Sequence, residues 1–108
     1  MINIKFYQDQ DGYFKAEADD QYSLLSQYFE SEIQGIPEVC RELLNHIQNI
    51  ESGNNTEIVG IGNAIGLKIT LNEVTLWDEF SETDKELTIS LIDFKLILEN
   101  CFSTIDKQ

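Results

Sequence analysis

Near the start of the chain, Ile2, Ile4 and Phe6 alternate with polar positions, and Phe14, Ala16 and Ala18 resume the alternation after Gln10-Asp11-Gly12. A period of two marks a strand with one buried face. Placing Phe6 opposite Ala16 and Ile4 opposite Ala18 puts both apolar sets on one side. It leaves a three-residue hairpin loop, with Gly12 where the backbone turns left-handed. The period then lengthens. Leu24, Leu25, Tyr28, Phe29 and Ile33 recur at spacings of three and four, the apolar stripe of a helix, and Gly35 ends it. Pro37 suits the first turn of a second helix. Val39, Cys40, Leu43, Ile47 and Ile50 form its buried face, and Ser52-Gly53-Asn54-Asn55 stops it.

From Thr56 the period returns to two. Residues 56–62 predict one strand, and 67–71 and 74–77 predict two more. A turn at Asn72-Glu73 places Leu71 opposite Val74 and Ile69 opposite Leu76, with both apolar sets on one face. After a polar stretch, residues 87–91 predict a last short strand, and Phe94, Ile97, Leu98, Cys101 and Ile105 give the stripe of a closing helix. The order β-β-α-α-β-β-β-β-α implies an α+β fold. It is a mostly antiparallel sheet of about six strands with an N-terminal hairpin, two central helices and a C-terminal helix packed on one face. At 108 residues the chain fits one domain, 1–108.

Residues 60–66, Gly-Ile-Gly-Asn-Ala-Ile-Gly, raise the question of a phosphate loop. Such a loop needs a strand leading in, backbone N–H groups aimed at the ligand, and a following helix whose N-terminus faces the anion. Here the residues that follow alternate as a strand, and no Walker-type Lys-Ser/Thr is present. The cluster reads instead as a turn. Asn63 is a natural turn residue, and Gly66 relieves the next strand or permits a bulge.

Charge narrows the function classes. Twenty acidic residues face seven basic ones, for a net charge of −13, and Arg41 is the one arginine. That balance repels nucleic acid phosphates and anionic lipid and attracts basic partners. The chain lacks an apolar run of transmembrane length and a signal-peptide core, so a cytoplasmic protein is expected. Cys40 and Cys101 form no CxxC and are expected to be reduced core thiols.

Little points to catalysis or a cofactor. His46 is the sole histidine, and Glu42 lies one helical turn before it. A metal would need further ligands that no spacing supplies, and a half-solvated helix histidine is the simpler reading. The segment 77–86 is more informative. Asp78, Glu79, Glu82, Asp84 and Glu86 lie within nine positions, interleaved with Trp77 and Phe80. Aromatic anchors beside carboxylates suit an interface for a basic partner, so Trp77, Asp78, Glu79, Phe80, Glu82, Asp84 and Glu86 are the candidate partner-binding residues. The alternative places Trp77 in the core and Phe80 under the loop, with the acids merely solvated. A second acidic group, Glu17, Asp19 and Asp20, is open to the same alternative.

The opening Ile4–Glu17, an aromatic strand, an Asp-Gly-Tyr turn and a return strand ending in Ala-Glu, resembles the N-terminal hairpin of bacterial immunity proteins of contact-dependent growth inhibition systems. The Phe-Tyr-x-Asp opening and residues 87–94, Leu-Thr-Ile-Ser-Leu-Ile-Asp-Phe, are also similar to a family of short acidic bacterial proteins of unassigned function. The first resemblance implies an immunity protein that binds a cognate toxin domain, such as a nuclease, stoichiometrically. A monomer or weak dimer is expected when free, with no catalysis and no cofactor. The alternatives are an acidic housekeeping adaptor or self-associating protein with no toxin partner, and a small enzyme using His46 or a cysteine.

Overall fold

Strands β1 (Ile4–Gln8) and β2 (Phe14–Ala18) pair antiparallel with Ile4 opposite Ala18 and Phe6 opposite Ala16. The Asp9 N–H donates to the Tyr13 carbonyl and closes the loop 10–12, with Gly12 at φ 86°. The Asp9 carboxylate also accepts from the backbone N–H groups of Asp11 and Tyr13, an Asx-type brace that stiffens the tip. The computed structural model describes residues 2–62, 64–80 and 85–106.

A short 3₁₀ turn leads into helix α1 (Ser23–Tyr28), which continues as a π-helical turn over Phe29–Ile33. Gln34 and Gly35 then take left-handed backbone angles and end the helix. Helix α2 (Pro37–Glu51) starts with Pro37 in its first turn, where a missing N–H costs nothing. Strands β3 (Glu57–Ile61), β4 (Ile65–Thr70), β5 (Glu73–Asp78) and β6 (Glu86–Ser90) follow, then helix α3 (Leu91–Ile105). Ser90 caps α3, its hydroxyl accepting from the Asp93 N–H.

The six expected strands are all present, but they are divided between two sheets. β3-β4-β5-β6 form a four-stranded antiparallel meander, and β1-β2 stand apart. The aromatic cluster joins the parts. Phe6 of the hairpin lies 5.0 Å from Phe29, which also packs on Tyr28 and Phe94. Ile65, Leu67, Ile69, Val74, Leu76 and Ile89 turn inward from the main sheet, and the helices cover that face. Cys40 of α2 and Cys101 of α3 are free and fully buried. The partner thiol lowers the Cys40 pKa and, with burial, raises that of Cys101 well above the thiol range.

The β4–β5 turn differs from its expected register. Ile69 faces Val74 and Leu67 faces Leu76, so Leu71 and Asn72 form the turn and Leu71 is exposed. A slip of two residues keeps every side chain on its own face, which is why the apolar pattern accommodates either pairing.

Candidate functional site

The hairpin loop, the turn between β3 and β4, and the end of β5 gather at one end of the molecule. Between them opens a cleft of about 400 Å³, lined by Tyr13, Phe14, Lys15, Glu30, Ile65 and Asp78 among others. The π-turn places two carboxylates, of which Glu30 lines this cleft. Glu30 accepts from the Ala16 N–H of β2 at 2.8 Å, which caps that strand's outer edge. Glu32, two residues on, accepts from the N–H groups of Ala64 and Ile65 at 3.1 and 3.3 Å and from the Ser31 hydroxyl. One helical turn thus ties the hairpin to the main sheet through two charge-assisted contacts.

The glycine cluster has its explanation here. Its backbone N–H groups do face an anion, and the anion is Glu32 of the same chain. Any Cβ on Gly62 would collide with the Glu32 carboxylate. The segment that follows is β4, so no helix N-terminus faces the turn. Asn63 lies outside the described residues.

Of the candidate partner-binding residues, Trp77 and Asp78 end β5, Glu79 and Phe80 form the turn beyond it, and Glu86 opens β6. Glu82 and Asp84 lie outside the described residues. Trp77 is opposite Gly66 on one side and Glu86 on the other, on the sheet face that the helices leave open. Its indole lies over Gly66, and its Nε1–H donates to Glu79. Gly66 therefore makes room for a ring on the neighbouring strand, with no bulge in the pairing. Phe80 is 78% exposed. Trp77 does not point into the core, and the loop that the alternative reading lays over Phe80 lies outside the described residues.

No ion pair among the described residues engages the carboxylates at this end, although Lys15 lines the same cleft as Asp78. Among the described residues, ion pairs tie Arg41 to Glu38 and Asp106, Lys68 to Glu57, and Lys95 to Glu51. None reaches Asp78, Glu79 or Glu86. Sequence reasoning missed Tyr13, which is 68% exposed at the hairpin tip, and Glu30 and Lys15 in the cleft. The Asp11-Gly12-Tyr13 run signals an exposed turn, but nothing in it signals that the turn reaches the end of β5. The second acidic group lies elsewhere: Glu17 and Asp19 border a shallow hollow at the other end of the hairpin.

His46 is half-buried on α2 and lines a second cleft with Leu43, Tyr28 and Ile58. Among the described residues, no three His, Cys, Asp or Glu side chains converge to hold a metal ion. No described helix is long and apolar enough to cross a membrane. Neither a curated protein nor a solved structure matches the chain. The profile described as "Uncharacterised protein family (UPF0231)" matches residues 2–105, nearly the whole length, and the chain belongs to that family.

Proposed function

We propose that the protein is a non-catalytic binding module that takes a basic protein partner at its loop end. The observation that carries this reading is the placement of Trp77 on the open sheet face and of Phe80 in solvent, beside acids that, among the described residues, join no ion pair. An exposed aromatic of this size is a natural anchor, and carboxylates steer a basic surface toward it. A net charge of −13 extends that attraction well beyond the contact.

A toxin domain held by an immunity protein is the narrowest form of this partner, and the client of an acidic adaptor is the broader one. The family match carries no link to contact-dependent growth inhibition, so the proposal rests on the partner's charge and contact site. The test replaces Phe80 with a photo-crosslinking phenylalanine analogue in the full chain, expressed in the cells that make it. The same analogue at Ile92, an exposed position on α3, is the control. The expected result is one basic protein captured from position 80 and not from 92, and released by high salt when irradiation is omitted. Capture of the same proteins from both positions, or of the chain alone, overturns the proposal. If the captured partner is toxic when expressed alone and harmless with this chain, the immunity form stands; a harmless partner selects the adaptor.

A further inference from the structure

β3 is an edge strand. Among the described residues no strand lies on its far side, and Glu57, Val59 and Gly60 are exposed. Edge strands are usually protected by lysines, prolines, bulges or a covering carboxylate. β2 has such a cover in Glu30. Among the described residues no hydrogen-bonded carboxylate covers β3: the segment Glu-Ile-Val-Gly-Ile carries a single charge, and Val59 is 54% exposed.

A groove runs beside this edge, with α2 as its other wall. It has a volume of about 310 Å³ and is lined by Tyr28, Leu43, His46, Ile58, Gly60 and Leu67 among others. That volume is at the small end of ligand pockets. It suits side chains delivered from an added strand better than a whole small molecule. A strand laid along β3 would send alternate side chains into the groove, beside Ile58 and Gly60, and the others outward, beside Glu57 and Val59.

We infer that the β3 edge takes up an extended segment of a partner protein, with apolar side chains turned into the groove and basic ones turned out. Main-chain pairing supplies the affinity, and the groove selects the alternate side chains. Charge chooses the occupant. Glu32 stands at the groove, Glu42 lies one turn from His46 on the α2 wall, Glu57 on the strand already shares its charge with Lys68, and the whole chain is strongly acidic. A second copy would bring −13 against −13. This surface differs from the loop end and requires no aromatic anchor.

The probe is an acetylated, amidated heptapeptide of alternating lysine and valine, titrated into the labelled full chain and followed by amide NMR. Saturable shifts confined to residues 57–61 and the groove are expected, with slowed hydrogen exchange at β3. The same peptide N-methylated at alternate bonds cannot complete the ladder, so it should fail to bind. Gly60→Lys is the decisive variant. A Cβ at Gly60 meets nothing within 4 Å, so the fold should tolerate it, while an edge lysine should weaken binding about tenfold or more. Phe80→Ala should leave this binding unchanged, which separates it from the loop-end proposal. Equal binding of the N-methylated peptide, shifts centred on residues 77–80, or β3 protection that rises with protein concentration alone would each overturn the inference. The last of these outcomes would assign the edge to a second copy.

Discussion

The Tyr28 ring lies edge-on to Phe29 and tilted to Phe94. Burial, then the charges of Glu32 and Cys40, holds its ionisation well above the usual tyrosine range. The unfolded chain gives up this proton near pH 10 and the folded chain keeps it, so above that pH the folded state binds more protons. Stability contributed by this group is complete below pH 10 and lost as pH rises further, by up to about 1.4 kcal/mol per pH unit. Urea unfolding between pH 9 and 11.5 should show this decline, and Tyr28→Phe should flatten it. Gly66 is constrained differently. Gly66→Ala would press a methyl into the Trp77 indole, at a cost of about 1–3 kcal/mol, read as a lower urea midpoint with altered tryptophan fluorescence. An unchanged midpoint would show that the indole simply swings aside. The glycine itself was conspicuous in the sequence, but its reason was not, because a ring eleven positions later needs a strand register to reach it.

At the level of elements, local signals were legible and long-range ones were not. The first hairpin could be read to the residue because the turn glycine and two alternating strands all agree. The β4–β5 turn offers no comparable glycine, and its strands are apolar enough to slide by a pair without exposing a face. Helix α1 carried the right stripe, yet nothing in its spacing announced the π turn that sends Glu30 and Glu32 to different sheets. Glu32→Gln keeps one carbonyl acceptor and removes the charge, so it should cost about 1–2 kcal/mol. Native-state hydrogen exchange should quicken at Ala64 and Ile65 while Ala16, held by Glu30, stays protected. Equal acceleration at all three would mean a general loss of stability and no specific anchoring role.

Taken whole, the molecule is a strongly like-charged body with an uneven surface. Self-repulsion among 20 acids and 7 bases opposes compactness, so thermal stability should rise as sodium chloride goes from about 10 to 200 mM, where screening shortens. A flat response in a thermal melt would mean that the carboxylates are too dispersed to repel. The acidic and aromatic character of residues 77–86 was visible from composition. That Tyr13 shares their end of the molecule was not, since it depends on how two separate sheets are placed by one aromatic cluster. The Glu32 contact has a further meaning in terms of mass action. A carboxylate fixed by the fold beside the glycine turn acts as a ligand at an effective concentration of millimolar order or above. It does not dilute when the cell's anions do, and any soluble phosphate seeking those N–H groups would have to displace a competitor that never leaves.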